Sequence, residues 1–374
     1  MNMENENISR TAASVIYLCS CAVNGKIPDK KRTDEAELDD VFRLARRHSV
    51  SAAVASALRS AGLGGAAAEN ATAHAIRRAV LFDKAFAGIK EKLEEAGIAY
   101  MPLKGAILRE YYPEYGMREM ADRDVLFEPG RAEDVRRIMV SLGYSVESFG
   151  TSNHDVYHKP PVLNFEMHSA LFGDAHAEEF RRYYENVFDR LTVRSGREMR
   201  FTPEDMYVYM TAHGYKHYAN SGTGLRSLLD VYVYLKKEKL DFDYVEKETE
   251  KLGISGFEKD IRRLALGLFG EDGDVTDDGT LSYIVSSGTY GTLEHRISND
   301  LKKTGRSKLK YMCDRFFVPV SKKDPRYKSM SAAYPAFYRH RILLPALPFY
   351  RTFKAMKKGT FKAEAKALKK AETK

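Results

Sequence analysis

Segments that can form β-strands occupy one stretch of this sequence, and helical patterns lie on both sides of it. Residues 8–96 and those from 203 onward have apolar side chains at helical spacing. Between them, helical segments at 105–112 and 129–142 alternate with short apolar runs, which predict strands at 98–103, 121–127, 144–147, 154–158 and 163–170. We therefore predict an α+β fold, with a small mixed-sheet core flanked by N- and C-terminal helical regions.

These patterns divide the chain into four regions. A length of 374 residues suggests two or three folded units. A polar run rich in Gly and Asp, 270–288, is predicted to interrupt the later helices. The predicted regions are an N-terminal helical region at 1–70, an α/β core at 71–200, a helical domain at 201–300 and a C-terminal segment with a basic tail at 301–374.

The composition is that of a globular protein and excludes several other classes. Apolar residues make up 44% and charged residues 30%, which rules out general disorder. With only three cysteines, a disulfide framework is not expected. No apolar run approaches the roughly 18 residues that span a bilayer. The short apolar run 15–23 follows two glutamates and one arginine, unlike a secretory signal, so we expect a cytoplasmic protein.

Positive charge is concentrated at the C-terminus. The whole chain has a net charge of +8, whereas residues 339–374 contain 11 basic and 2 acidic residues. Such a tail suggests weak contact with an anionic membrane or with nucleic acid; the alternative is a solvated helix. The remainder is close to neutral, which argues against a polymerase-like enzyme that follows a long nucleic acid.

A lysine and a glycine follow the first predicted strand. Gly105 stands where the strand meets a helix, and a glycine there lets backbone N–H groups approach an anion. Lys104 adds a point charge suited to phosphate. The alternative is an ordinary turn glycine.

Three carboxylates lie on the next predicted strands. Asp122 and Asp124 share one face of a strand, where their repulsion favours a cation such as Mg²⁺ between them. Glu166 lies with His168 on one face of a later strand, and a buried acid there requires a partner. That partner is a metal, or one of the arginines Arg109, Arg118 and Arg123.

Together these segments resemble a known family. The segments are Tyr100-Met-Pro-Leu-Lys-Gly105, Arg118-Glu-Met-Ala-Asp-Arg-Asp-Val-Leu126 and Phe165-Glu-Met-His168. They resemble the uncharacterised bacterial nucleotidyltransferase family of the DNA polymerase β-like superfamily. The similarity extends over most of the chain, including Leu44-Ala-Arg-Arg-His48, His213, His217, Gly224-Leu-Arg226 and Asp230.

The resemblance implies a nucleotidyltransferase core and an assignment of its residues. Gly105, Lys104 and Arg118 would face the phosphates of an NTP. Asp122, Asp124 and Glu166 would be catalytic and hold two Mg²⁺ ions, or Mn²⁺ in their place. An unidentified acceptor's hydroxyl or phosphate would attack the α-phosphate, and pyrophosphate would leave. The resemblance hints at substrate-side positions for His168, His213, Arg226 and Asp230.

Two departures from the family pattern leave an alternative open. Ala106 follows the glycine where a serine or glycine is usual, so no hydroxyl is available there. Arg123 stands between the aspartates, where an aliphatic residue is usual. Alternation along the strand directs Arg123 away from the site, where it can pair with an acid. If it turned toward Asp124 instead, the chain would be a catalytically inactive nucleotide-binding or adaptor protein.

Other histidines have weaker patterns. His213 and His217 share one helix face, but no glutamate follows His213 as in zinc peptidases, so we predict a partly buried pair near the cleft. His154 and His158 share one face of a strand and are predicted to be structural or substrate-facing.

Overall fold

The computed structural model describes residues 3–34, 38–174, 176–270, 279–324 and 326–371. Contacts divide the chain into two compact units. One contains Met1–Lys216 and Thr223–Thr289, and the other contains His217–Gly222 and Tyr290–Lys374. The region boundaries predicted from the sequence stay predictions.

Helices form most of the chain, and among the described residues none is both long and apolar enough to cross a membrane. In the first unit they are α1 (Met3–Asn24), α2 (Lys30–Asp34), α3 (Leu38–Arg47), α4 (Ser51–Ser60), α5 (Gly65–Glu95), α6 (Gly105–Leu108), α7 (Ala132–Ser141), α8 (Glu178–Tyr183), α9 (Pro203–Asn220), α10 (Leu225–Lys237), α11 (Phe242–Lys251), α12 (Ser255–Phe269) and α13 (Thr280–Ser287). The end of α9 belongs to the second unit, with α14 (Leu293–Thr304), α15 (Lys308–Phe316), α16 (Tyr327–Ala333), α17 (Pro335–Arg339), α18 (Leu347–Lys357) and α19 (Thr360–Lys370). Short 3₁₀ helices occupy Arg109–Tyr111, Val187–Arg190 and Arg341–Ala346.

One mixed sheet of seven strands lies in the described part of the first unit. Its order is β3-β4-β5-β2-β1-β7-β6. The central strand β2 runs parallel to β5 and antiparallel to β1, and β1 runs parallel to β7. The strands are β1 (Tyr100–Pro102), β2 (Arg123–Phe127), β3 (Ser145–Ser148), β4 (His154–Lys159), β5 (Leu163–His168), β6 (Thr192–Ser195) and β7 (Glu198–Arg200).

One face of this sheet is the main apolar core. Val125 of β2 and the pair Phe165 and Met167 of β5 are completely buried in it. They pack against apolar side chains of α5 and α7, among them Phe82 and Met139. Because successive strand residues point to opposite faces, the residues between these apolar ones are directed to the other side of the sheet.

The mixed sheet and the predominance of helix confirm the predicted fold class, and all five predicted strands are present. Strands β6 and β7 were not predicted, because both are short. The residues of β6 are all exposed and show no apolar alternation. The helix predicted at 105–112 is one α-helical turn followed by a 3₁₀ helix. In the predicted break at 270–288, residues 271–278 lie outside the described residues. The predicted break is wrong at Thr280–Ser287, because these residues form α13, and the buried Ile284 anchors that helix.

His48, at the end of α3, connects distant helices of the first unit. The Leu225 N–H donates to its Nδ1, and its Nε2 lies 3.1 Å from the Val285 carbonyl oxygen, which it bonds as a donor. The ring is completely buried. Burial, and then the neighbouring Arg47, lower the pKa of His48 to about 4. His48 is therefore neutral in the folded protein. Its presence in one of the segments that resemble the family is explained by its packing.

This histidine makes the first unit less stable in acid. Because the folded-state pKa of His48 is below that of the unfolded chain, its contribution is complete above about pH 6.5 and is lost as the pH falls toward 4. The loss amounts to at most about 3 kcal/mol. Urea unfolding at several pH values should show a smaller pH dependence of the free energy of unfolding for His48→Gln. The control Val193→Ser changes an exposed residue that does not titrate and should retain the natural slope. Equal slopes for all three proteins would contradict the assignment.

Candidate active site

The face of the sheet opposite the apolar core has polar side chains at its centre. Between the parallel strands β2 and β5, Asp124 lies opposite Glu166. Between β4 and β5, His154 lies opposite His168. Strand register therefore brings four polar side chains from three strands together on one face.

Asp122 lies one residue before β2, not within the strand as predicted. Burial, and then the charge of Asp124, raise its pKa. Burial, and then the charges of Asp124 and Asp122, raise the pKa of Glu166 to about 7. The three predicted carboxylates thus act on one another, and a cation among them would relieve their repulsion.

Asp124 contacts two nitrogen groups, one from Lys104 and one from His168. The Lys104 Nζ lies 3.0 Å from its Oδ2, and the His168 Nε2 lies 3.1 Å from its Oδ1. Burial alone would raise the pKa of Asp124, but Lys104 and His168 outweigh that effect and hold it well below its usual range. Asp124 is therefore ionised under all ordinary conditions.

Lys104 occupies a strained position between β1 and α6. Its backbone φ is +32°, a region that residues other than glycine seldom adopt. From there its Nζ also lies 2.7 Å from the His213 Nε2, so this predicted substrate-side histidine is next to the carboxylates. Such strain persists only where the surrounding structure enforces it.

Lys216 belongs to the same cluster and was missed by the sequence analysis. Burial, and then the charge of Lys104, lower its pKa to about 8, while Asp124 and Glu166 oppose that effect. Lys216 follows His213 by three residues on α9, so the two share a helix face. The three-residue spacing from His213 was the signal in the sequence that could have identified Lys216.

Arg118 is buried and directed at Asp230. Its Nε and Nη2 donate to the two carboxylate oxygens at 2.7 and 2.8 Å, and the Tyr112 hydroxyl donates to Oδ1. A Cβ on Gly105 would lie 2.7 Å from the Arg118 Nη1. Gly105 is therefore required by the close approach of Arg118, whatever else it contacts.

Arg226 acts on one of the carboxylates, Asp122. Its Nη1 donates to the Glu119 carbonyl oxygen at 3.0 Å. Its charge acts to lower the pKa of Asp122, although burial outweighs it. Of the four predicted substrate-side residues, His168, His213 and Arg226 thus adjoin the carboxylates, and Asp230 binds Arg118.

One close group of metal-ligating side chains occurs in the described part of the chain. It consists of His154, Glu166 and His168, whose candidate ligand atoms all lie within 4.8 Å of one another. Burial, and then His168, lower the pKa of His154 to about 4, so the His154 ring is neutral. The group shares Glu166 with the predicted carboxylates, whereas Asp122 and Asp124 lie outside it.

The sequence profile of a family described as "Uncharacterised nucleotidyltransferase" matches residues 34–270, more than half of the chain. The chain belongs to this nucleotidyltransferase family. The match includes the sheet and the residues Asp122, Asp124 and Glu166, which we call the carboxylate cluster. No curated protein and no solved structure matches the chain significantly.

Arg123, which stands between the two aspartates, is directed away from the carboxylates as expected. Its Nη1 donates to the Phe82 carbonyl oxygen and to Asp83, at 3.1 and 3.0 Å. Its guanidinium lies 4.2 Å from the centre of the Phe86 ring. Arg123 therefore has its partners on α5 and does not compete for Asp124.

This placement predicts that Arg123 matters for stability and not for nucleotide binding. Arg123→Met removes a partner of Asp83, which Arg109 still binds. We expect a loss of roughly 1–3 kcal/mol in the free energy of unfolding. The affinity for an NTP with Mg²⁺ should change less than about twofold. Titration calorimetry and urea unfolding measure the two quantities, and a large gain or loss of nucleotide affinity would refute the placement.

Proposed function

We propose that this chain is a metal-dependent nucleotidyltransferase of the DNA polymerase β-like superfamily. It transfers a nucleotidyl group from an NTP to a hydroxyl or phosphate of an unidentified acceptor, and pyrophosphate leaves. The observation that carries the proposal is the cluster of Asp122, Asp124 and Glu166 beside Lys104 and Lys216. Carboxylates suited to a divalent cation thus lie next to lysines suited to phosphate. Nucleotidyl transfer requires both.

The three carboxylates fit Mg²⁺. They offer hard oxygen ligands, and burial together with their own charges raises the pKa of two of them. Bound there, Mg²⁺ would neutralise phosphate charge and acidify the attacking hydroxyl, and Mn²⁺ could replace it.

Side chains of the cluster have distinct tasks in this proposal. Lys104 leaves Asp124 for the phosphates of the NTP, because a polyphosphate offers it more negative charge. Lys216 supplies a second ammonium group on the same side. Glu166 is the carboxylate suited to accept the proton of the attacking hydroxyl.

Lys216→Ala should weaken the binding of an NTP. The loss of one charge-assisted contact to phosphate corresponds to about 1.5–3 kcal/mol, or roughly 10- to 150-fold in the dissociation constant. Titration calorimetry with Mg²⁺ and a non-hydrolysable NTP measures it. The control is Lys92→Ala, because Lys92 lies exposed on α5 beside Glu95. Equal affinities for the two variants would remove Lys216 from the proposal.

Transfer itself is tested with NTPs labelled at the α-phosphate. The full chain is incubated with each NTP, Mg²⁺ and fractionated pools of small molecules or proteins, and labelled products and pyrophosphate are measured together. We expect one fraction to give labelled product and pyrophosphate in equal amounts, with none from Asp122→Ala/Asp124→Ala. Release of pyrophosphate that is the same with the double variant would contradict the proposal.

A further inference from the structure

Two histidines beside Glu166 have the spacing of metal ligands. The His154 Nε2 and the His168 Nε2 lie 3.6 and 3.7 Å from the same Glu166 Oε2. These distances are too long for hydrogen bonds. They resemble the separation of ligand atoms around one ion, since two atoms each about 2.1 Å from a tetrahedral ion are about 3.4 Å apart.

Both rings are positioned by the sheet, and their hydrogen bonding is incomplete. Strand register places them opposite each other, with ring centres 4.9 Å apart. In the part of the chain that the structure describes, the Nδ1 atoms of His154 and His168 are buried and have no hydrogen-bond partner. A histidine that serves packing usually bonds through both nitrogens, as His48 does. The two histidines are therefore positioned to bind a ligand.

We propose that His154, His168 and Glu166 bind a first-row transition-metal ion, with Zn²⁺ as the best match. Imidazole nitrogens favour Zn²⁺ and its neighbours, whereas Mg²⁺ requires oxygen ligands. The Asp124 Oδ1 lies 3.1 Å from the His168 Nε2 but outside the group of three ligands. The site goes beyond the proposed transfer reaction, with which it shares Glu166.

Cobalt is the probe, because Co²⁺ takes the same ligands as Zn²⁺ and absorbs visible light when it binds imidazole. The metal-free full chain is titrated with Co²⁺. We expect one ion per chain, displaced by Zn²⁺ and not by a large excess of Mg²⁺. His154→Ala and His168→Ala, or His154→Gln if the alanine variant does not fold, should weaken binding at least about tenfold.

His158→Ala is the matched control. His158 lies on the same strand as His154 but is exposed and contacts Glu147, so its loss should leave Co²⁺ binding unchanged. Absence of the visible band, or equal binding by His154→Ala and the natural protein, would overturn the site.

The same titrations separate this site from the transfer reaction. Asp122→Ala should retain Co²⁺ and lose Mg²⁺-dependent NTP binding. If the natural protein binds Co²⁺ through the histidines but no NTP, the proposed function fails and the metal site stands. If it binds NTP with Mg²⁺ but does not bind Co²⁺, the metal site fails and the proposed function stands.

An exposed surface in the second unit carries a separate inference. Phe349, Phe353 and Met356 of α18 recur every four and three residues, so they share one side of the helix. They are 68%, 68% and 61% exposed, and Ile342, shortly before them, is 89% exposed. We call Phe349, Phe353 and Met356 the α18 surface.

Basic residues occupy other sides of α18. Residues 339–363 contain no acidic residue, and Arg351, Lys354, Lys357 and Lys358 lie in or directly after α18. Large apolar side chains flanked by lysines are typical of helices that lie in the plane of a membrane surface.

We infer that the α18 surface docks on an anionic lipid bilayer. Basic charge alone would also suit nucleic acid, but Met356 has no flat ring to stack on a base. Inserted among acyl chains, all three side chains leave water, while the lysines remain near the lipid phosphates.

Flotation of the full chain with vesicles tests this docking. We expect binding to vesicles that contain phosphatidylglycerol, weakening with added salt, and little binding to phosphatidylcholine alone. Phe349→Ser/Phe353→Ser retains every charge and should bind at least about tenfold more weakly. Val193→Ser, which changes an exposed valine of the first unit, should bind normally. Equal binding by the double variant, or binding to single-stranded RNA in place of vesicles, would overturn the inference.

Discussion

Asp124→Asn should lower nucleotidyl transfer by at least about a hundred- to a thousandfold. Asparagine keeps the size of the side chain but removes the negative charge that the Lys104 Nζ and the His168 Nε2 approach to 3.0 and 3.1 Å. Without that charge the cluster loses its permanently ionised member and most of its attraction for a divalent cation. The labelled-NTP assay measures the effect once an accepting fraction is known.

The control for this prediction is Asp83→Asn. Asp83 makes ion pairs with Arg109 and Arg123 and belongs to α5, outside the carboxylate cluster. Its replacement should lower stability and leave the rate within about tenfold of the natural protein. If Asp124→Asn were as active as Asp83→Asn, the carboxylate cluster would not be the active site.

Asp230→Ala should destabilise the first unit by roughly 3–5 kcal/mol, which corresponds to about 10 °C in the unfolding temperature. The reason is that Arg118 would remain buried without its partner, and the Tyr112 hydroxyl would lose its acceptor. Arg118 precedes β2 and Asp230 lies on α10, so this pair joins the sheet to a helix.

A double variant tests the physical reason. Arg118→Met/Asp230→Leu removes both charges and should recover much of the stability that Asp230→Ala loses. Glu95→Ala, which breaks the exposed pair with Lys92, should cost less than about 1 kcal/mol. Thermal and urea unfolding give these values, and a small loss for Asp230→Ala would mean that water reaches Arg118.

Local pattern was enough to predict the polar side of the central strands. Alternation alone placed Glu166 with His168 and directed Arg123 away from Asp124, and the structure agrees. The same pattern predicted the five strands, because each contains apolar residues at a recognisable spacing.

Contacts between distant segments could not be predicted in the same way. The place of His154 beside His168 depends on the register of β4 on β5, which no local pattern sets. Lys216 joins the cluster only because α9 packs near the carboxylates, and the pairing of Arg118 with Asp230 spans 112 residues. Such contacts follow from tertiary packing, so a single sequence does not contain a direct signal for them.

The central claim is that the carboxylate cluster binds an NTP together with a divalent cation. Thermal unfolding of the natural protein and of Asp122→Ala/Asp124→Ala, with each NTP in the presence and absence of Mg²⁺, tests it most directly. At about 100 times its dissociation constant a bound NTP adds roughly 2.7 kcal/mol, which is several degrees for a protein of this size. We expect one NTP to stabilise the natural protein only with Mg²⁺ and to have no effect on the double variant. If no NTP shifts the transition, or if the shift persists without the two aspartates, the claim is contradicted.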